Sequence, residues 1–69
     1  MQIQVEALDR KGLLSDLIRA ISESGVNILD ARVHTSEDRT VVDRFALELG
    51  DRFMLEHVLN VVRNVTGVY

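Results

Sequence analysis

A chain of 69 residues with 8 basic and 11 acidic side chains, net charge −3 and no cysteine is one small domain without disulfides or thiolate metal sites. Charges of both signs are mixed along it and aromatics make up only 4% (Phe45, Phe53 and Tyr69). This argues against a self-sufficient nucleic-acid binder, which needs a basic stripe and stacking platforms. No apolar run approaches the roughly 18 residues of a membrane-spanning helix, and a core this small supplies only about 3–5 kcal/mol, so self-association or a larger parent chain is expected.

Gln2 to Leu8 alternates, with Ile3, Val5 and Ala7 on one face and Gln2, Gln4 and Glu6 on the other, which predicts a half-buried strand. Leu8-Asp9-Arg10-Lys11-Gly12-Leu13-Leu14 then joins that strand to a helical pattern. Glycine at position 12 permits a sharp turn and close approach to the main chain. The amides of Leu13, Leu14 and Ser15 open the helix without intrahelical partners, so they suit a carboxylate or carbonyl oxygen. A plain turn with Asp9 as a helix cap is the alternative. Asp9 and Asp16 are otherwise accounted for by stabilisation of the helix start.

From Leu13 to Ser24 the period changes: Leu14, Leu17, Ile18 and Ile21 fall on one stripe, and Gly25 stops the helix. Val26 to Ser36 reads as a second strand, with Leu29, Ala31, Val33 and Thr35 on one face and Asp30, Arg32 and His34 on the other. Val26 and Ile28 have the opposite parity, which predicts a bulge or bend near Asn27 to Leu29. Ser36 to Thr40 is a polar turn, and Val41 to Leu49 a third strand with Val41, beside Asp43, and Phe45, Leu47 and Leu49 toward the core. Asp51 is the expected N-cap of a second helix whose buried stripe is Leu55, Val58, Leu59 and Val62. Val65 to Tyr69 resembles a turn into a further strand that barely begins, as in a domain cut from a longer chain.

Strand, helix, strand, strand, helix and stub fit a split βαβ arrangement with two helices on one face of an antiparallel sheet. The edge of the first strand is expected to be covered by Thr66 to Tyr69 or by another protomer.

The loop Asp9-Arg10-Lys11-Gly12-Leu13-Leu14-Ser15-Asp16 after a strand, with Gly25-Val26-Asn27-Ile28 opening the next, resembles the ACT domain, a small regulatory ligand-binding module. Val5 to Leu14, Val26 to Leu29 and His57 to Tyr69 make the likeness strongest to the C-terminal ACT domain of RelA/SpoT-type (p)ppGpp synthetase/hydrolase enzymes. The resemblance spans residues 1–69 apart from the last strand, and implies one α+β, ferredoxin-like βαββαβ domain, its fourth strand largely truncated, that dimerises. It further implies an amino acid bound where the first loop meets the second strand of a partner. Carried over by position, Asp9 and Gly12 shape the loop, the amides of Leu13 and Leu14 face the ligand, and Asn27 with Ile28 forms the opposing wall.

A branched-chain amino acid is the ligand the resemblance implies, homo-oligomerisation through sheet edges or helices the assembly, and the cytoplasm the location. Contact with ribosomal RNA in a full-length protein is implied as well. Asn27, read by its residue type alone, only supports the local bend. No nucleophile-base pair, phosphate-binding glycine loop or cofactor motif is present, so a non-catalytic regulatory role is expected, sensing an amino acid or relaying ribosome state to distant catalytic domains; the alternatives are a ligand-free dimerisation or ribosome-docking module, or the amino-acid-binding ACT domain of another metabolic enzyme. His34 and His57 are on different elements and are read as surface residues rather than metal ligands. The cations Arg10, Lys11, Arg19, Arg39, Arg44, Arg52 and Arg63 read as a solvated surface, with phosphate contact open to any that gather on one side.

Overall fold

A computed structural model describes residues 1–69 as β1 (Gln2–Leu8), α1 (Leu13–Glu23), β2 (Asn27–Thr35), β3 (Thr40–Glu48) and α2 (Arg52–Arg63). The strands form one antiparallel sheet in the order β1-β3-β2, so β3 is central. Alternation on β1 turns Ile3, Val5 and Ala7 inward, where they meet Phe45 and Leu47 of β3, Leu17 and Ile21 of α1, and Val58 and Val62 of α2 in one core. Each such side chain removed from water contributes about 1.5–3 kcal/mol against the entropy of ordering it. Both helices thus cover the same sheet face, giving an α+β, ferredoxin-like βαββα fold.

At the second helix the sequence reading holds closely. The Asp51 carboxylate accepts the Met54 N–H at 3.0 Å as N-cap, Val58 and Val62 are buried, and Leu55, Leu59 and Val65 pack against the core. The expected bulge is also present: Ile28 pairs with Leu47 and Asp30 with Ala46, leaving Leu29 as the extra residue. Its effect is to return Ala31, Val33 and Thr35 to the helix-covered side, opposite Phe45, Asp43 and Val41.

Two expectations need correction. The buried stripe of α1 is Leu13, Leu17 and Ile21, whereas Leu14 and Ile18 remain 39% and 37% exposed. The physical reason lies in the second correction: apart from Ile28, which packs against the core, β2 stays largely in water, so the side of α1 toward it is not covered either. Leu29 is 59% and Val33 48% exposed, and no residue of β2 is buried. An apolar strip consequently runs along the flank of α1 and the inner face of β2.

Of the fourth strand only Val68 pairs, in an antiparallel bridge to Ala7. The amide of Leu8 donates to the Gly67 carbonyl and that of Tyr69 to the Glu6 carbonyl, both at 2.9 Å. This covers the C-terminal part of the β1 edge with residues from Thr66 to Tyr69, as the sequence suggested. The outer edge of β2 has no strand beside it.

Candidate functional site

Gly12 takes φ 81° and ψ 1°, a left-handed conformation that its missing Cβ makes inexpensive, and it occupies the N-cap of α1. No side chain caps this helix, so Asp9 does not serve as the cap. The Leu13 amide donates to the Arg10 carbonyl at 3.2 Å and the Asp16 amide to the Gly12 carbonyl at 2.9 Å. Leu13 therefore differs from expectation: its donor is used inside the turn and its side chain is buried in the core. The unpartnered donors of the first turn are the amides of Leu14 and Ser15.

Arg10 fastens the loop. Its guanidinium donates to the Thr66 carbonyl at 2.8 Å, to the Lys11 carbonyl at 3.2 Å and to the Asp16 carboxylate at 2.9 Å. Asp16, in the first turn of α1, is thereby both paired and favourably placed on the helix dipole. The Asp9 amide donates to the Arg39 carbonyl at 2.8 Å, tying the other end of the loop to the β2–β3 turn.

A cavity of about 200 Å³ opens beside this helix mouth, lined by Asp9, Arg10, Gly12, Leu13, Leu14, Ser15, Val33, Val41 and Asp43. Half-exposed Leu14 and Val33 form its apolar rim. Asp43 forms its floor and is the residue that sequence reasoning missed. It is 1% exposed, and neither carboxylate oxygen has a hydrogen-bond partner. In register it faces Val5 on β1 and Val33 on β2, so its neighbours across the sheet are aliphatic. Burial pushes its pKa up from the ordinary 3.8, and the nearby negative charge of Asp9 adds to the rise. The signal was in the parity of β3, where position 43 shares the inward face of Val41, Phe45 and Leu47.

Asp9, Gly12, Leu13 and Leu14 are thus brought together, whereas Asn27 and Ile28 are not with them. These two pair with Glu48 and Leu47 at the opposite end of β2, about 25 Å along the strand from the Thr35 end that adjoins the loop. Ile28 packs against the core and Asn27 is exposed.

His34 lies on the outer sheet face and His57 on the exposed side of α2; no group of three or more His, Asp or Glu side chains is arranged to hold a metal ion. On the outer face Arg32 stands directly opposite Arg44 in the β2–β3 register, beside Gln4, His34 and Val42. Arg44 donates to the Gln4 amide oxygen at 3.3 Å and Arg32 to the Asp30 carboxylate at 3.1 Å. No helix is long and apolar enough to cross a membrane.

With the loop, cavity and sheet in view, the comparisons agree with the fold. The ACT domain family model matches residues 1–69, and the chain belongs to the ACT domain family. Over 67 residues, 97% of this chain, it is 60% identical to the bifunctional (p)ppGpp synthase/hydrolase RelA of Mycobacterium tuberculosis, covering 9% of that protein. It is 58% identical to the GTP pyrophosphokinase of Streptomyces coelicolor over 97% of the chain and 8% of that enzyme. The chain therefore spans less than a tenth of the length of these relatives. Among solved structures, the ACT domain from the GTP pyrophosphokinase of Chlorobium tepidum superposes with a TM-score of 0.84 over 99% of this chain and 87% of that one. At 19% identity that likeness concerns the fold alone.

Proposed function

We propose that this chain is the non-catalytic regulatory ACT domain of a (p)ppGpp synthetase/hydrolase of the stringent response, acting in the cytoplasm. Its ligand is a small branched-chain amino acid, held at the mouth of α1. The observation that carries the reading is the pair of unpartnered amides of Leu14 and Ser15 beside an apolar-rimmed cavity. They stand at the positive end of the helix dipole, where a carboxylate is stabilised, while Leu14 and Val33 suit an aliphatic side chain. A volume of about 200 Å³ fits a free amino acid better than a nucleotide; drug-sized ligands occupy about 300–1,000 Å³.

The open edge of β2 supports a dimer in which two β2 strands pair antiparallel about a two-fold axis. Centred near Ala31, that pairing carries Asn27 of the partner subunit to the Thr35 end, beside the loop, and so completes the wall that one protomer lacks. Ligand binding then couples to assembly, and through it to catalytic domains elsewhere in the parent enzyme. The coupling is reciprocal: a ligand shifts the arrangement only by its difference in affinity for the two states.

Calorimetric titration with L-valine, L-leucine and L-isoleucine, with L-glutamate and L-lysine as controls, tests the reading. Heat confined to the aliphatic members supports it, and silence with all of them removes the sensing role. The exposed Leu14, Ile18, Leu29 and Val33 favour a second reading, a ligand-free assembly module, for which sedimentation without ligand would show a dimer. Arg32 and Arg44 are the pair on the outer face suited to ribosomal RNA phosphates in the parent protein.

A further inference from the structure

Resting on the reading of the loop cavity as an amino-acid site, we infer that Asp43 receives the α-ammonium group of the ligand, so that the site selects a zwitterion over a simple aliphatic acid or amine. Buried polar groups in folded proteins almost always have partners, and one without any calls for a reason. Both oxygens of Asp43 are buried and out of contact with protein donors, and the residue is one of those lining the cavity. Its residue is 1% exposed, at the centre of the middle strand.

The surroundings supply no cation of their own. Val5 and Val33 stand across the sheet on either side, and Val41 and Phe45 share its strand face. Arg10 is the one basic residue in the lining, and its three guanidinium nitrogens are engaged with Thr66, Lys11 and Asp16. Asp9, the other carboxylate of the lining, is negative too and repels Asp43. Two acidic groups line this small cavity, and its one cation, Arg10, is already paired with Asp16. The Leu14 and Ser15 amides of the same lining supply the positive end of the α1 dipole. That polarity matches the ammonium and carboxylate of one amino acid. An ammonium brought to Asp43 donates the hydrogen bonds its oxygens lack, and a charge-assisted bond in a water-poor site is stronger than a neutral one. Ligand binding in this way removes a defect that the free domain carries.

The test is calorimetry of wild type and Asp43→Asn with three probes: L-valine, its deaminated counterpart 3-methylbutanoate, and its decarboxylated counterpart 2-methylpropylamine. Asparagine keeps the shape and removes the charge. Thermal unfolding monitored by circular dichroism confirms that the variant is folded at the titration temperature. The expected result is that wild type prefers L-valine to both analogues by at least tenfold. In Asp43→Asn the affinity for L-valine falls at least tenfold, while that for 3-methylbutanoate does not fall. L-Valine binding of wild-type strength in folded Asp43→Asn overturns the assignment of Asp43 and leaves the amino-acid site standing. Equal affinity of wild type for L-valine and 3-methylbutanoate does the same. No heat with L-valine, L-leucine or L-isoleucine in wild type overturns both.

Discussion

Replacing Asp43 with valine stabilises the free domain, and by an amount that depends on pH. Both carboxylate oxygens are buried without partners, and an unsatisfied buried polar group costs about 1–3 kcal/mol, more when charged. Valine suits a central strand, its neighbours Val5, Val33, Val41 and Phe45 are apolar, and the adjoining cavity accommodates the bulkier side chain. A gain of about 1–3 kcal/mol is large beside the roughly 3–5 kcal/mol expected of so small a core. It corresponds to about 4–8 °C in melting temperature per kcal/mol. The sign of the pH effect follows from the raised pKa. Between the ordinary 3.8 and the higher folded-state value, the folded chain binds more protons at Asp43 than the unfolded chain does. Stability from this group is therefore greatest at low pH, falls as pH rises through that window, and stays low above it. Each unit of elevation costs about 1.4 kcal/mol at neutral pH. Asp38 acts in the opposite sense, since the backbone N–H of Thr40 lowers its pKa, but it is common to both proteins and cancels in their difference. Urea denaturation of wild type and Asp43→Val at pH 4, 5, 6 and 7 measures that difference directly. The valine advantage is largest at pH 7 and shrinks toward pH 4. A variant less stable than wild type at pH 7, or an advantage equal at pH 4 and 7, refutes the reasoning.

Other substitutions probe the elements that build the site. Gly12→Ala costs about 1–2 kcal/mol in urea denaturation because of the positive φ alone, since a Cβ there comes no nearer than 3.9 Å to Arg10. Asp51→Ala removes the cap from α2 and lowers stability by about 1 kcal/mol, read from the same unfolding curves. Val33→Lys leaves the fold intact, because this side chain is half-exposed, but places a charge on the open strand; in saturating L-valine, sedimentation equilibrium gives a monomer for the variant and a dimer for wild type.

Local chemistry made much of the fold legible. The two-residue period of Gln2–Leu8 specified which side of β1 is buried, Asp51 marked the start of α2, and the parity break at Ile28 announced the bulge that the register contains. What the pattern could not reveal was coverage. An alternating strand such as β2 looks half-buried from sequence, but burial depends on what packs over it, and here no residue of β2 is fully buried and only Ile28 packs against the core. The same tertiary fact moved the buried stripe of α1 from Leu14 and Ile18 toward Leu13. At the site, the glycine turn and the helix mouth were readable, while the bond from Leu13 to Arg10 shifted the unpartnered donors one residue along. Asp43 was passed over because a carboxylate on the inward face of a strand violates the expectation that charges stay outside. Its parity with Val41 and Phe45 was the sign that the expectation fails there.

Occupancy of the α1 mouth by an amino acid is directly measurable. Titrating the 15N-labelled domain with L-valine while following backbone amide resonances tests it most directly. Saturable shifts are expected, concentrated at Leu14, Ser15 and Val33, with Arg32 and Arg44 on the outer face undisturbed. Resonances that stay fixed throughout the titration, or shifts confined to the outer face, contradict it.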